Sequence, residues 1–291
     1  MIYETIVSRQ FIDKGWSVDR KYCVTTEDGS RYLLRISPTE LYERRKREFA
    51  QMQKAAGLGV DMCLPVECGI CPEGVYALHS WIDGSDAEEA IAKLSSRDQY
   101  VCGLTAGRML AKLHSLPVPG DGHDWEGYFT AKVQRKIAAY RSCGLRYSHG
   151  DAMVQYLTEN LALLHNRPVT FQHGDYHIGN MMLGRDGKLF IIDFEKADIG
   201  DPWEEFNRIV WSAQAAPDFA RGIVDGYFPK GVPEQFWKLM AYYICSNSVG
   251  ALPWAIPYGQ QEVDTITAQG EEILRWYDNM NTTVPSWYRK E

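Results

Sequence analysis

One stretch constrains this chain more than any other, because it sets acids at fixed offsets among strand-like apolar runs. It covers residues 171–206 and reads FQHGDYHIGNMMLGRDGKLFIIDFEKADIGDPWEEF. Apolar runs at roughly 180–184 and 188–193 predict two short strands, and the intervening GRDG predicts a hairpin turn. Acid-rich loops flank this hairpin. Loops at hairpin ends can converge, so the pattern favours a functional site.

The spacing of four polar residues in this stretch points to a particular chemistry. His173, Asp175 and Asn180 form H-x-D-x4-N, and Asp193 lies thirteen residues after Asn180. Protein kinases use this spacing, with the first Asp accepting the proton of the attacking hydroxyl and the Asn and later Asp holding Mg²⁺. Mg²⁺ prefers oxygen ligands and retains water, so a carboxylate and an amide beside phosphate oxygens suffice. The spacing therefore predicts phosphoryl transfer, which depends on positioning and charge neutralisation.

The rest of the chain divides into a strand-rich beginning and a helix-rich remainder. Strand patterns before position 38 and around 64–82 enclose one helical pattern that ends near Gly57. From about Gln99 onward apolar residues recur at helical spacing, around 131–142, 151–165, 203–216, 234–249 and 262–280. We predict an α+β, bilobal fold with a small antiparallel β lobe containing one helix (1–79), a hinge (80–84) and a large, mainly helical lobe (85–291).

These motifs together resemble the aminoglycoside phosphotransferase and choline kinase group of small-molecule kinases, which share the protein-kinase-like fold. The resemblance covers nearly the whole chain and is carried mainly by FQHGDYHIGNMML and IIDFEKADIGDPWEEF. It implies that Asp175 is the catalytic base and that His173 orients the loop. Asn180 and Asp193 are then Mg²⁺ ligands, and Asp201 supports the loop, although a helix N-cap before a proline is an equal interpretation.

The resemblance also implies a nucleotide site in the first lobe. Arg35 ends a strand where kinases have a Lys on the phosphates, and Glu48 is the expected ion-pair partner. Arg and Lys are not interchangeable, so an Arg at this position is expected to bind the phosphates differently from the usual Lys. Further nucleotide contacts are expected from the backbone, and the residues are Gly15 and Ser17 for the phosphates and Ser80, Trp81 and Ile82 for adenine. The co-substrate is expected to be ATP or GTP.

The acceptor is expected to be a small, cationic molecule with a hydroxyl group, such as an aminoglycoside or an amino alcohol. The net charge is −7, and residues 195–291 hold 14 acids against 8 bases. An acidic surface attracts cations and argues against nucleic acid as a partner. The candidate acceptor-binding acids are Glu195, Asp198, Glu204, Glu205, Asp264, Glu271 and Glu272.

Three other functions fit parts of the pattern. An atypical protein kinase would share the catalytic loop, but the later motif is DFE and no A-P-E follows. A non-catalytic nucleotide-binding module would not need all three loop residues. Cys63, Cys68 and Cys71 have the spacing of a plant-type iron–sulfur site, but they lie in a predicted strand and hairpin.

The remaining composition indicates a cytoplasmic protein. Seven Cys scattered along 291 residues suit reduced thiols better than a disulfide framework. No apolar stretch approaches the roughly 18 residues of a membrane span, and the N-terminus lacks the pattern of a signal peptide.

Overall fold

The chain forms two compact units in the computed structural model, which describes residues 1–14, 18–118 and 124–289. The β unit contains residues Met1–Ala90 and Asn180–Ala197, and the helical unit contains Ile91–Gly179 and Asp198–Glu291. The stretch 171–206, called the HGD stretch after residues 173–175, contains a hairpin that belongs to the β unit. The residues before and after this hairpin belong to the helical unit. The predicted boundaries at 79 and 85 remain a prediction.

The α+β fold class is confirmed. The strands are β1 (Ile6–Ile12), β2 (Arg20–Thr26), β3 (Arg31–Ser37), β4 (Pro65–Cys71), β5 (Gly74–Ser80), β6 (Gly84–Asp86), β7 (Thr170–Gln172), β8 (Met181–Gly184), β9 (Leu189–Ile191) and β10 (Asp198–Gly200). The helices are α1 (Tyr42–Ala56), α2 (Ala87–Ile91), α3 (Ser96–Leu113), α4 (Trp125–Ser142), α5 (Gly150–Glu159), α6 (Ile209–Ala215), α7 (Pro217–Tyr227), α8 (Glu234–Ala255) and α9 (Gln260–Trp276). In the described part of the chain, no helix is long and apolar enough to span a membrane.

The β unit is built on a five-stranded antiparallel sheet with the order β1-β2-β3-β5-β4. Alternating apolar residues place Val24, Leu34, Ile36 and Leu78 in one buried cluster. Gly29, at a φ of +83°, closes the β2–β3 hairpin, a conformation that glycine adopts without steric cost. A second sheet joins β6, β8 and β9, so the hairpin formed by β8 and β9 is paired with β6.

Two glycine pairs allow α3 and α7 to pack backbone against backbone in the helical unit. A Cβ atom at Gly103 would lie 2.1 Å from the Phe219 carbonyl oxygen, and one at Gly222 would lie 2.3 Å from that of Tyr100. Gly107 and Gly226 make equivalent approaches. The sequence analysis did not predict α7, because its glycines lower the helical signal while they make this close packing possible.

A short antiparallel pair of strands prepares the start of the catalytic loop. β7 pairs with β10, with Gln172 opposite Asp198 and Thr170 opposite Gly200. Neither strand was predicted, because three residues are too few to establish a period of two. The pair fixes the backbone immediately before His173 and immediately before Asp201.

Candidate active site

Glu205 holds the backbone of the HGD turn. Its carboxylate accepts hydrogen bonds from the backbone N–H groups of His173 (2.6 Å) and Gly174 (2.8 Å). Glu205 is 2% exposed, and the Nε2 atom of His114 lies 3.7 Å from its Oε2 atom. Gly174 has a φ of +83°, which suits a tight turn without a side chain. Glu205 was expected at the acceptor, and the structure places it beneath the catalytic loop.

The HGD turn is also fixed from within. His173 is fully buried, and its Nδ1 atom accepts a hydrogen bond from the Asp175 N–H at 3.3 Å. Tyr176 packs edge-on against His173 and donates its hydroxyl to the Ala106 carbonyl on α3 at 2.6 Å. Burial, then the Glu205 charge, raises the pKa of Tyr176, so the phenol stays a donor. The helix α3 therefore supports the position of the loop.

The Asp175 carboxylate lies among cationic and titratable groups. The Arg208 Nε atom is 3.2 Å from its Oδ1 atom, and the His177 Nε2 atom is 3.8 Å from the same oxygen. A guanidinium stays protonated throughout the biological pH range, so this contact favours the ionised form of the carboxyl. An ionised carboxylate can accept the proton of an alcohol, which is the role predicted for Asp175.

Asp201 ties together the segments on either side of the catalytic loop. It is fully buried and accepts two hydrogen bonds from Arg167, at 2.5 and 3.0 Å, and one from the Tyr243 hydroxyl at 2.7 Å. It also accepts from the Trp203 N–H at 2.9 Å, and its own carbonyl accepts from the Gln172 side chain at 2.7 Å. Asp201 thus organises the loop's surroundings, which fits the expected role of loop support. It is not a helix N-cap, because the following 3-10 segment (Glu204–Arg208) has Trp203 at its N-cap position.

A network of charged side chains surrounds Arg35 in the β unit. Asp19, fully buried in its side chain, accepts from Arg35 (3.0 Å), Arg45 (2.8 Å) and the Ser37 hydroxyl (2.6 Å). Burial opposes ionisation of Asp19, but Arg35, Ser37 and Arg45 outweigh it and lower its pKa. Arg35 also pairs with Glu195, and its Nη1 atom lies 3.7 Å from Asp193 Oδ1.

The helix residue Glu48 joins this network through a different arginine. Its carboxylate accepts from Arg45 at 2.6 Å and from Arg44 at 2.7 Å. Arg45 in turn binds Asp19, which binds Arg35. The expected Arg35–Glu48 relation therefore runs through Asp19 and Arg45. The sequence analysis missed both intermediates because they belong to different elements and carry no motif.

The β unit contains both Asp193 and Asn180, and the backbone hydrogen bonding brings their segments together. Ile192 donates its backbone N–H to the Asn180 carbonyl at 3.0 Å, which sets Asp193 one residue beyond this pairing. Asp193 has a φ of +65°, which is uncommon for a residue other than glycine. Strained backbone conformations of this kind often occur at functional sites. Its Oδ1 atom is buried and accepts no hydrogen bond from the described residues.

This pair fits a magnesium ion. Asp193 has a strained backbone and a buried carboxylate oxygen that accepts no hydrogen bond from the described residues. Together with the amide oxygen of Asn180, it can supply the hard oxygen ligands that Mg²⁺ prefers. Over the described ranges, no three His, Cys, Asp or Glu side chains form a preformed metal cage. Mg²⁺ in phosphotransferases commonly takes few protein ligands beside phosphate and water, so a cage is not required.

Cys63 is bound to the strand that leads to Asp193. The Cys63 N–H donates to the Ile191 carbonyl, two residues before Asp193, at 3.1 Å. Burial raises the pKa of the Cys63 thiol to about 11, so the group stays protonated. A protonated thiol is a poor metal ligand. This cysteine of the iron–sulfur-like spacing therefore supports the candidate site.

Ser80, Trp81 and Ile82, which belong to the predicted hinge, line a cavity of about 360 Å³ in the β unit, together with Leu64 and Phe190. Ser80 donates its N–H to the Leu64 carbonyl and accepts the Leu64 N–H on its hydroxyl, both at 2.8 Å. These bonds engage the N–H and the hydroxyl of Ser80. The purine contact expected of these three residues stays a prediction. The other predicted nucleotide contacts, Gly15 and Ser17, lie outside the described residues.

Most of the acids predicted for the acceptor already have partners within their own unit. Glu195 belongs to the β unit and pairs with Arg35. Glu204 accepts from Gln172, and Asp198 lies in β10 opposite that same residue. The acids of α9 have separate partners, which are Gln260 for Asp264, the Ser148 N–H for Glu271 and Gln214 for Glu272.

The two units have the architecture of kinase-like phosphotransferases, with an Asp-bearing loop in one and an Asn–Asp pair in the other. The chain belongs to the phosphotransferase enzyme family, whose sequence profile matches residues 8–237. The predicted resemblance to aminoglycoside phosphotransferases and choline kinases is thereby confirmed. None of the curated proteins compared with the chain matches it.

Solved structures show the same fold at low sequence identity. A thermostable mutant of aminoglycoside phosphotransferase APH(4)-Ia, in a ternary complex with ADP and hygromycin B, has a TM-score of 0.65 at 14% identity, covering 94% of this chain and 96% of that one. Amicoumacin kinase hAmiN, in complex with AMP-PNP, Ca²⁺ and Ami, has a TM-score of 0.63 at 15% identity, covering 97% and 90%. A choline/ethanolamine kinase family protein from Mesorhizobium loti has a TM-score of 0.66 at 16% identity, covering 93% and 90%.

Proposed function

We propose that this protein transfers the γ-phosphate of ATP or GTP to a hydroxyl group of a small molecule. The observation that carries the proposal is the Asn180–Asp193 pair, with its strained backbone and its buried carboxylate oxygen. The proposal is also supported by the nucleotides named for two similar structures, ADP and AMP-PNP.

In this proposal the catalytic loop handles the acceptor. Asp175 accepts the proton of the acceptor hydroxyl as the oxygen attacks, and Arg208 and His177 influence its charge and orientation. Glu205 keeps the turn rigid, so that the carboxylate does not need to reorganise during the reaction. His173 orients the loop and takes no part in the proton transfer.

The β unit handles the nucleotide. Residues 81 and 82 receive the base through their backbone, and Arg35 contacts the phosphates, held in place by the buried Asp19 carboxylate. Asn180 and Asp193 are the side chains that would hold Mg²⁺. A bound Mg²⁺ would supply positive charge to offset the negative charge of the phosphates.

The proposal is tested by measuring ADP or GDP release with magnesium and a panel of aminoglycosides, choline, macrolides, homoserine and sugars. We expect acceptor-dependent release by the wild type and at least about 100-fold less by Asp175→Asn, since a positioned base contributes 10²–10⁴-fold. Full activity of Asp175→Asn would instead support a nucleotide-binding module. Transfer to a peptide array in place of small alcohols would support an atypical protein kinase.

The charge of the acceptor is set by two opposing features. The acidic C-terminal third favours a cation through long-range attraction, as the sequence analysis predicts, and hygromycin B is named with one of the similar structures. That field is screened over about 8 Å at physiological salt. Groups in contact with the acceptor therefore matter more, and the Arg208 guanidinium lies 3.2 Å from the Asp175 carboxylate.

A further inference from the structure

Three cations of the helical unit, Lys132, Lys136 and Arg208, belong to two elements that an ion pair joins. Lys132 and Lys136 are four residues apart on α4, so both lie on the same face of that helix. Lys132 is 3.5 Å from Glu204, which shares a short 3-10 segment with Arg208 (Glu204–Arg208). Arg208 is the residue that contacts Asp175, so this ion pair links α4 to the catalytic loop.

One of these cations is left without a protein acceptor. Glu204 is beside Lys132 and Asp175 is beside Arg208, but Lys136 has no hydrogen-bonding or ion-pairing acceptor within residues 1–14, 18–118 and 124–289. Burial and then the charges of Lys132 and Arg208 lower the pKa of Lys136 to about 8, while Glu204 acts in the opposite sense. A partly buried ammonium near two other cations is unfavourable unless an anion completes the group.

The path of the Lys136 side chain is built into the helix packing. Its aliphatic stem lies across Gly250 of α8, where a Cβ atom would come within 2.8 Å of Lys136 Cε and 2.9 Å of Cδ. Any larger residue at position 250 would push the stem away. The direction of the ammonium therefore depends on a glycine of the neighbouring helix as well as on its own rotamer.

We propose that Lys136, with Arg208, binds an oxyanion, a carboxylate or phosphate, carried by the acceptor itself. The inference rests on the proposed function, because it identifies the binding site of the acceptor by its closeness to Asp175. The acceptor is then a hydroxylated organic acid or phosphate. The nearby positive charges outweigh the distant acidic surface because they make direct, charge-assisted hydrogen bonds.

The test uses four small probes that share a three-carbon hydroxylated skeleton and differ in charge. These are glycerate, glycerol 3-phosphate, neutral glycerol and cationic 3-amino-1,2-propanediol. Their dissociation constants for the full-length protein are measured by calorimetry at pH 7 and constant ionic strength, without phosphate buffer. We expect glycerate or glycerol 3-phosphate to bind at least about 10-fold more tightly than glycerol, a difference of about 1.4 kcal/mol. The two anions distinguish a carboxylate site from a phosphate site.

Three variants locate the effect. Lys136→Gln should weaken anion binding about 10-fold, and Gly250→Ala should do the same by displacing the lysine stem while keeping its charge. Arg135→Gln is the matched control, since Arg135 is the exposed neighbour on the same helix, and its affinity should stay within about twofold of the wild type. An Asp175→Asn variant should keep the anion site and lose phosphoryl transfer.

Four outcomes would overturn the inference. They are tightest binding of the cationic probe, no binding of any anion, an equal loss in Lys136→Gln and Arg135→Gln, and weaker binding of AMP-PNP but not of the anions in Lys136→Gln. The last would assign the lysine to the nucleotide. Phosphorylation of a cationic acceptor without anion binding would contradict the anion site but not the proposed function. Anion binding without any phosphoryl transfer would support the anion site and contradict the proposed function.

Discussion

Removing the Glu205 carboxylate tests whether this residue sets the geometry of the catalytic loop. The side chain is 2% exposed and accepts two backbone hydrogen bonds, from His173 and Gly174. Hydrogen bonds to a charged group contribute about 1.5–3 kcal/mol each. Glu205→Ala leaves both buried donors without a partner, so we expect a loss of about 3–6 kcal/mol in unfolding free energy. Glu205→Gln keeps one acceptor oxygen and should lose roughly half as much.

The assay combines urea unfolding with steady-state kinetics of Glu205→Gln. We expect kcat to fall about 10- to 100-fold, because each factor of ten corresponds to about 1.4 kcal/mol of misplaced catalytic geometry. The KM for nucleotide should change little, since the proposed nucleotide contacts belong to the β unit. Glu204→Gln is the control, because this neighbour has a 3.5 Å ion pair with Lys132 and a 3.3 Å contact with Gln172. Equal losses in the two variants, or an unchanged kcat in Glu205→Gln, would refute the reasoning.

Three further predictions concern packing, pH and a thiol. Gly103→Ala should destabilise the protein by about 1–3 kcal/mol or more in urea unfolding, because its Cβ would overlap the α7 backbone, whereas Gly57→Ala at an ordinary φ of −61° should change little. Lys136 is partly buried, and this burial is the main cause that lowers its pKa from 10.5 to about 8. Between pH 8 and 10.5 the unfolded chain therefore binds more protons than the folded chain, so the unfolding free energy of the wild type should rise by about 1–2 kcal/mol more than that of Lys136→Met. Cys63 should resist alkylation by iodoacetamide in the native protein at pH 8, and modification at the rate of an exposed thiol would contradict its buried role beside Asp193.

The sequence predicted those parts of the fold that carry strong local signals. The hairpin between Asn180 and Asp193 was predicted because turn residues separate two apolar runs, and it is observed as β8 and β9. The helix α7 was missed because it contains glycines, which lower the local helical signal. These glycines allow close packing against α3, and this packing depends on both helices and is not visible in the sequence of one. β7 and β10 were missed because three residues carry no readable period.

The site divides in the same way. Asp175, Asn180 and Asp193 stand at a fixed spacing in one stretch, so a motif can identify them. Glu205, Asp19 and Arg45 act through distant partners, and no local pattern distinguishes them from surface charges. Glu205 lies four residues after Asp201 in DPWEEF, so its spacing from the earlier acid is the one signal available. The excess of acids near the C-terminus indicates the sign of the electrostatic field there, but it does not reveal which acids already have partners.

The acceptor can be sought without guessing its structure. A small-molecule extract is incubated with magnesium, ATP or GTP labelled with ¹⁸O in the γ-phosphate, and either the wild type or Asp175→Asn. Products are identified by mass spectrometry. We predict a labelled phosphate ester of a small molecule with the wild type and none with Asp175→Asn. The same ester from both proteins, or label confined to protein and inorganic phosphate, would contradict phosphoryl transfer to a small hydroxyl through Asp175.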